Sequence, residues 1–546
     1  MTRSATCSPP PRLPSPAARL WWGPGALALG LLALLGLGPL LALLLSGGDA
    51  PAALWQDPYL RHVVRFSLLQ AGLSMALSVL LALPVARALH RRRFPGRQLL
   101  LQLFGISLVL PVIIALFGLV AVHGQQGWLP QLLRACGWQP GSYLYGLSGI
   151  LLAHLFFNLP LAARWLLFAL EAIPESQWRL ASQLGLRGWS LWRIVEWPAL
   201  RSQLPALGSL IFLLCFSSFT TVMALGGGPA ATTLEVAVYQ ALRFDFDLAT
   251  AAQLALWHLL LGAQALLWHH QSQLPPPRAS RTPGGVWRPD RHTLGGRVVD
   301  AAALLLALLL FVPPLLAIVS SGLHPGLWQA LQMPTLWRAL ATSLQIGSGA
   351  ASLAVLLSLL LLVSSRHLRL RLGRPQLAQL LESSGSLILL VPTAVLSTGL
   401  FILLRPYANL FGLGFWLVML LNALASLPYT LRCLQPALQQ AVLRYERLAV
   451  SLGLQGWARW RYLEWPLLRQ ALGRALALAL IFSLGDLGAV AMFGSAELQT
   501  LPWLLFQQLG SYHLSQAAAT ALLLLLLCVG LLSLVEWLFG GRDADL

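Results

Sequence analysis

Polar side chains within long apolar segments are the residues of this sequence best suited to binding a polar solute. Asp486 lies in the segment LGDLGAV, while His154 and Asn158 lie four residues apart in another apolar segment. Burying an ionised carboxylate without a partner is costly, so Asp486 is by default a candidate functional residue. A carboxylate on a solute pathway suits a cation. The alternatives are a structural hydrogen bond for Asp486 and hydrogen bonds between helices for His154 and Asn158.

The remaining reactive residue types exclude several kinds of chemistry. All 36 basic residues are Arg, so the sequence has no Lys. A P-loop needs a Lys that reaches the nucleotide phosphates, and Schiff-base catalysis needs a Lys amine, so both are excluded. The five cysteines are scattered without metal-ligand spacing. We expect no metal, no cofactor and no covalent catalysis in this chain, and any transport must draw its energy from a partner or an ion gradient.

The composition predicts an all-α polytopic membrane protein. Hydrophobic residues make up 57% of the chain and charged residues only 10%, with a mean hydropathy of +0.71. Apolar runs near the length of a bilayer-spanning helix predict about twelve transmembrane helices. The expected spans are 25–45, 66–86, 99–122, 146–168, 204–225, 248–268, 299–319, 338–363, 380–404, 411–433, 471–493 and 516–538.

The distribution of arginines predicts the orientation of these helices. A formal net charge of +18 would suggest nucleic acid binding in a soluble protein. Here 30 of the 36 arginines fall on the side of the predicted membrane that holds both termini, including the cluster 91–93. By the positive-inside rule, this side is cytoplasmic, and no nucleic acid partner is indicated. The first apolar run is longer than a typical signal-peptide core, which favours an uncleaved anchor.

A polar segment divides the chain into two halves. Residues 269–298 are rich in Pro, Gly, Ser and Arg, a composition typical of a linker, here cytoplasmic. We expect a cytoplasmic N-terminal segment (1–24), a first six-helix unit (25–268), the linker, a second six-helix unit (299–538) and a cytoplasmic tail (539–546). With six helices in each unit, the two copies should lie parallel, related by an axis along the membrane normal.

One long cytoplasmic loop recurs in both halves. Residues 179–201 read RLASQLGLRGWSLWRIVEWPALR and residues 447–469 read RLAVSLGLQGWARWRYLEWPLLR, with 15 of 23 positions identical. They belong to the predicted loops 171–203 and 434–470. A single loop of this kind could rest on lipid as an interfacial amphipathic helix. Two nearly identical loops on the same membrane side favour docking on a two-fold partner.

The repeated loops resemble the signature loop of permeases of binding-protein-dependent ABC importers. That signature has two alanines, then a Gly, then Ile-x-Leu-Pro at fixed spacing. The matching positions are Ala181, Gly185, Val195, Trp197 and Pro198 in the first loop and Ala449, Gly453, Leu463, Trp465 and Pro466 in the second. The acidic residue of the family is replaced by Arg179 and Arg447. The resemblance implies that each loop is a coupling helix that sits in a cleft of a separate ATPase subunit.

Longer segments resemble the fused, two-unit permeases for thiamine and thiamine pyrophosphate. They include RALHRRRFPGR (87–97) and LGGGPAATTLEVAVYQAL (225–242). The resemblance implies a type I importer transmembrane fold and an inner-membrane permease of an ATP-driven thiamine importer. It also implies two copies of a cytoplasmic ATP-binding subunit and a periplasmic thiamine-binding protein, with ATP used by the partner subunit.

Two alternatives remain at the level of the sequence. The same kind of permease could carry iron(III) or another small solute. A gradient-driven secondary transporter would need ionisable coupling sites in both repeats, and only Asp486 qualifies, since its counterpart is Ser218.

Overall fold

The computed structural model describes residues 23–46, 57–107, 110–139, 141–272, 294–324, 326–370, 372–387, 391–407, 412–454, 456–495 and 498–539. These residues form helices joined by turns, and no strand occurs among them. Nearly all of the predicted N-terminal segment, the centre of the predicted linker and most of the predicted tail lie outside the described residues.

The second half repeats much of the helix order of the first. The first half contains α1 (Gly23–Ser46), α2 (Pro58–Arg91), α3 (Arg97–Ile106), α4 (Val112–His123), α5 (Trp128–Ala135), α6 (Leu147–Glu171), α7 (Glu175–Gln183), α8 (Gly188–Leu191), α9 (Trp197–Phe216), α10 (Phe219–Leu225), α11 (Leu234–Arg243) and α12 (Leu248–Ser272). The second half contains α13 (Leu294–Gly322), α14 (Gly326–Leu331), α15 (Pro334–Leu370), α16 (Pro375–Leu387), α17 (Thr393–Leu404), α18 (Gly414–Ser451), α19 (Gly456–Arg459), α20 (Trp465–Gly485), α21 (Gly488–Phe493), α22 (Leu501–Gly510) and α23 (Leu514–Phe539). Helix α5 has no counterpart among the described residues of the second half, and the segment that matches α7 is the end of α18.

The predicted all-α membrane fold is confirmed. Within the described residues, 11 helices are long and apolar enough to cross a membrane. A shorter apolar helix, Thr393–Leu404, lies where the ninth span was expected. The structure therefore agrees with about twelve membrane helices.

Four of the expected spans are interrupted by short irregular segments, which the sequence analysis did not predict. The span at 99–122 is divided between α3 and α4, and the span at 380–404 between α16 and α17. Pro111 and Pro392 stand directly before α4 and α17 in extended conformation. Proline has no N–H to donate and its ring crowds the preceding turn, which favours a helix that begins directly after it, as α4 and α17 do.

The other two breaks are stabilised by short polar side chains. The span at 204–225 is interrupted between α9 and α10, and the span at 471–493 between α20 and α21. Ser218 donates from Oγ to the carbonyl of Cys215 at 2.9 Å. Asp486 accepts hydrogen bonds from the backbone N–H groups of Gly488 and Ala489 at 3.2 and 3.1 Å. Such local bonds compete with the helical pattern and end the helix.

The first helix of each half packs against the other half. Helix α1 packs on α15 and α17, and α13 packs on α2 and α4. A Cβ atom on Gly399 would lie 2.4 Å from the carbonyl oxygen of Pro39, and one on Gly118 would lie 2.5 Å from that of Pro314. Glycine permits this close approach of helix backbones in the membrane. The two halves are therefore interlocked by a pair of equivalent crossings.

A buried ion-pair cluster also ties α13 to the end of α2. The carboxylate of Asp300 lies 3.2 Å from Arg91 Nη1 and 2.6 Å from Arg92 Nε. The Asp300 and Arg91 side chains are both 5% exposed. Both arginines belong to the cluster 91–93, which lies on the side that the arginine distribution predicts to be cytoplasmic.

Candidate functional site

A central cavity of about 510 Å³ lies between the two halves, where the four broken spans meet. The residues at the breaks that line it are Ser107, Pro111, Ser217, Ser218, Val391, Pro392, Gly485 and Asp486. Interrupted helices leave backbone groups unpaired, and inside a membrane such groups are tolerated only within protein or beside a water-filled space. Breaks at corresponding positions of two repeats are therefore a strong indication of a solute site.

The breaks of the two halves touch each other beside this cavity. A Cβ atom on Gly485 would lie 3.2 Å from Cβ of Pro111. One on Gly488 would lie 3.8 Å from Cδ1 of Phe219. The cavity is therefore bounded by direct contacts between α20–α21 of the second half and the broken spans of the first half.

Asp486, the acidic candidate from the sequence, lies at this cavity. Its two hydrogen bonds to backbone N–H groups cap the start of α21. Each carboxylate oxygen has more than one lone pair, so both can accept a further bond. The residue is half-buried and lines the cavity. Asp486 therefore makes structural hydrogen bonds and also lines the cavity, and a role in solute binding stays a prediction.

His154 and Asn158 also line the cavity, and both bond to neighbouring helices. His154 Nδ1 lies 2.8 Å from Ser74 Oγ, and His154 Nε2 lies 2.8 Å from Ser218 Oγ. Asn158 Nδ2 donates to Cys215 Sγ at 3.1 Å. These bonds join α6 to α2 and α9, as expected for polar side chains between membrane helices. In the second half, Asn422 of α18 stands at the position that corresponds to His154, and its Nδ2 donates to Ser483 Oγ of α20 at 2.9 Å.

Aromatic residues on the cavity wall were missed by sequence reasoning. Tyr429 of α18 and Phe482 of α20 have ring centroids 4.5 Å apart. Phe157 of α6 lines the opposite half of the cavity. Aromatic residues are common in apolar spans, so their type and spacing gave no signal. Only the positions of the breaks show which rings face the cavity.

The two repeated loops share the same backbone geometry. Gly185 and Gly453 adopt φ values of +66° and +63° immediately after a helix. The next residue donates its N–H to the carbonyl of Ala181 in the first loop and of Ala449 in the second, at 2.9 Å in each. This is the Schellman arrangement, which requires left-handed backbone and favours glycine.

A single wide helical turn follows in each loop. Residues Trp192–Glu196 and Trp460–Glu464 form π-helical turns. Each π-helical turn runs directly into the next helix, and Pro198 or Pro466 is the second residue of that helix. If the loop and this helix formed one unbroken α-helix, the proline would have to donate an N–H that it lacks. The wider turn lets the preceding tryptophan, 197 or 465, donate its N–H five residues back instead.

This turn directs one glutamate of each loop into the protein. Glu196 and Glu464 are buried. Glu196 Oε2 lies 2.5 Å from Arg87 Nε, near the end of α2. Glu464 Oε1 lies 2.5 Å from Arg366 Nη1 of α15 and 2.8 Å from Arg459 Nε. Sequence reasoning missed these residues, although the identical EWP triplet in both copies was an available signal.

The motif positions are divided between the inside and the surface of each loop. Ala181, Ala449 and Val195 are buried, Leu463 and Trp197 are half-buried, and Trp465, Pro198 and Pro466 are exposed. Arg179, which replaces the acidic residue of the motif, pairs with Glu175 at 2.7 Å on the same helix. The side chain of Arg447 lies outside the described residues.

The outer face of each loop is apolar and exposed at matching positions. This face, here named the apolar patch, consists of Leu180, Leu184, Trp189 and Ile194 in the first loop and Leu448, Leu452, Trp457 and Tyr462 in the second. The exposed fraction is 70% for Trp189 and 73% for Trp457. Exposed apolar patches of this kind mark protein or membrane contact sites.

Comparison with known proteins gives consistent matches along the chain. The family described as binding-protein-dependent transport system inner membrane component matches residues 371–540. The chain is 48% identical over 528 residues to the thiamine transport system permease protein of Salmonella typhimurium, which covers 96% of this chain and 97% of that protein. It is also 48% identical over 523 residues to the Escherichia coli protein of that name (95% and 97% covered) and 40% identical over 515 residues to the Haemophilus influenzae protein (93% and 94% covered).

Proposed function

Because this chain belongs to the family of binding-protein-dependent thiamine transport permeases, we propose that it forms the translocation pathway of an ATP-driven thiamine importer. The observation that carries this proposal is the central cavity, where broken helices of both halves meet. Solute would enter it from a binding protein on the outer side and leave to the cytoplasm. The chain is a membrane transport subunit and, in this proposal, catalyses no reaction itself.

The two repeated loops are proposed to dock one ATP-binding subunit each. The two apolar patches have the same residue at three of their four positions and are exposed at all four, as expected for docking on a pair of identical partner subunits. Large aromatic residues such as Trp189 and Trp457 are frequent anchors in protein interfaces. A lipid contact alone would not explain why the Schellman turn and the π-helical turn recur so closely in both loops.

The buried glutamates connect these loops to the pathway helices. Through Arg87, Glu196 ties the first loop to α2, and through Arg366, Glu464 ties the second loop to α15. Helices α2 and α15 pack against α9 and α20, whose ends form two of the breaks at the cavity. When ATP draws the two docked subunits together, the loops move with them and the halves rock about the cavity, as alternating access requires.

Uptake of labelled thiamine by cells that lack this chain and have no second thiamine importer tests the proposed function. We expect uptake to be lost in the deletion strain and restored by the wild-type gene. Thiamine uptake that is unchanged by the deletion would contradict the assignment. In that case, labelled iron(III) would be the next solute to test with the same strains.

A further inference from the structure

The charge of the central cavity is unequal between its two halves. Among the described residues that line it, Asp486 is the only acidic residue, and arginine does not occur. At the position of the first half that corresponds to Asp486 stands Ser218, whose hydroxyl bonds to His154 Nε2. The negative charge of the cavity wall therefore lies on the second half alone.

Aromatic rings line the same half of the cavity as this carboxylate. Phe482 lies four residues before Asp486, near the end of α20. The centroid of its ring lies 4.5 Å from that of the Tyr429 ring. The Phe482 side chain is 39% exposed. A cation near an aromatic face is attracted by the ring quadrupole, and a flat aromatic solute can also stack on it. A carboxylate and an aromatic pair together favour a flat organic cation over a neutral solute or an anion.

We propose that Asp486, with Tyr429 and Phe482, forms a binding site for an aromatic organic cation on the second-half side of the cavity. This inference rests on the proposed function, in which the solute is thiamine, because the thiazolium ring of thiamine is such a cation. The first half would contribute neutral polar groups, among them Asn158 and Thr221. The cavity volume of about 510 Å³ falls in the range of small-molecule sites, roughly 300–1,000 Å³.

The carboxylate of Asp486 has enough lone pairs both to accept the hydrogen bonds at the start of α21 and to contact a cation. Its bonds to the N–H groups of Gly488 and Ala489 use one lone pair on each oxygen. An asparagine has one side-chain oxygen and could keep one of these two bonds, and Asn is a good residue at helix starts. The substitution Asp486→Asn therefore removes the charge and retains part of the cap, whereas Asp486→Glu preserves the charge.

Equilibrium binding to the full chain, assembled with its ATPase subunit in lipid nanodiscs, tests this proposal. The two probes are labelled thiamine and a neutral analogue in which carbon replaces the thiazolium nitrogen. We expect the wild-type protein to prefer thiamine by roughly tenfold or more, the effect of about 1.4 kcal/mol. Asp486→Asn should lower thiamine affinity to that of the analogue and leave analogue affinity unchanged, while Asp486→Glu should retain the preference.

An equal preference for thiamine in the wild type and in Asp486→Asn would overturn the proposal, as would the absence of any preference in the wild type. Loss of affinity for both probes in Asp486→Asn would also overturn it, because that result indicates a structural role alone. Binding is measured without transport, so these outcomes are separate from the uptake experiment. Wild-type cells that fail to take up thiamine would contradict the proposed function whatever the binding result.

Discussion

At the scale of single residues, the backbone conformation of two glycines determines the shape of the repeated loops. A Cβ atom on Gly185 or Gly453 would contact nothing within 4 Å, so space does not restrict these positions. Their positive φ values restrict them instead. An ordinary L-residue pays about 1–2 kcal/mol for left-handed backbone, while asparagine tolerates it better.

The double variant Gly185→Ala/Gly453→Ala should therefore reduce thiamine uptake several-fold, because both loops would relax from the Schellman turn. The matched variant Gly185→Asn/Gly453→Asn should retain most of the uptake, since Asn also occurs at this position of helix ends. Uptake rates at equal membrane expression provide the measurement. Equal losses in both variants would show that the backbone conformation is not the cause.

Only some of the residues that line the cavity could be identified from the sequence by their residue type. Asp486 and His154 were recognisable because ionisable groups are rare and costly in apolar spans. Tyr429 and Phe482 were not recognisable, since aromatic residues in membrane helices contact lipid, protein or solute with no difference in spacing. The same holds for Glu196 and Glu464, whose burial depends on a π-helical turn that sequence periodicity does not reveal.

At the scale of helices and loops, the buried ion pairs are the physical links between the docking loops and the pathway. The Glu196 side chain is fully buried and that of Arg87 is 25% exposed. Removing one partner of a buried pair leaves the other charge uncompensated, which typically costs about 3–5 kcal/mol. By contrast, Glu175 pairs with Arg179 on the loop surface, where the arginine side chain is 73% exposed.

Glu196→Gln should accordingly lower the thermal stability of the purified protein and reduce the thiamine transported per ATP hydrolysed. Glu175→Gln is the matched control in the same loop, and an exposed pair is worth less than about 1 kcal/mol. Its melting temperature and transport ratio should stay near those of the wild type. A Glu196→Gln protein as stable and as well coupled as the control would refute the proposed link.

The apolar patches make a separate prediction about the ATPase subunit. Trp189→Glu/Trp457→Glu should abolish co-purification of this subunit, because a charge would have to be buried in the interface without a partner. Since both tryptophans are largely exposed, the stability of the chain itself should change little. Trp138→Glu is the control, because Trp138 is 72% exposed and lies in a loop predicted to face outward. Co-purification of the double variant at wild-type yield would exclude these patches as the docking site.

At the scale of the whole molecule, the contact between Pro111 and Gly485 offers a way to lock the two halves together. Their Cβ atoms would lie 3.2 Å apart, close to the separation of about 3.5–4.5 Å in a disulfide. In a cysteine-free background, Pro111→Cys/Gly485→Cys should cross-link on oxidation and stop uptake, and a reductant should restore it.

The control cross-link joins two residues of the second half. A Cβ atom on Gly326 would lie 3.4 Å from Cβ of Ser515, so Gly326→Cys/Ser515→Cys should form a disulfide of similar geometry. Because α14 and α23 belong to the same half, uptake should continue after oxidation. Full transport by the Pro111–Gly485 cross-linked protein would show that the halves need not separate at the cavity.

Much of the overall fold was predictable from the sequence, because bilayer thickness, arginine distribution and a long repeat each constrain it independently. The all-α fold with about twelve membrane helices followed from these features. The helix breaks at Ser218 and Asp486 did not, since hydropathy is insensitive to a short irregular segment within an apolar run. The packing of α1 and α13 against the opposite halves could not be predicted either, because it depends on contacts of Gly118 and Gly399 with the carbonyl groups of prolines that are distant in sequence.

The most direct test of the central claim is thiamine accumulation in proteoliposomes that contain this chain and its ATPase subunit, with the binding protein and labelled thiamine on the outer side. The account predicts accumulation that requires both the ATPase subunit and ATP on the cytoplasmic side, and that is insensitive to dissipation of ion gradients. Accumulation driven by an ion gradient with the ATPase subunit omitted would contradict it.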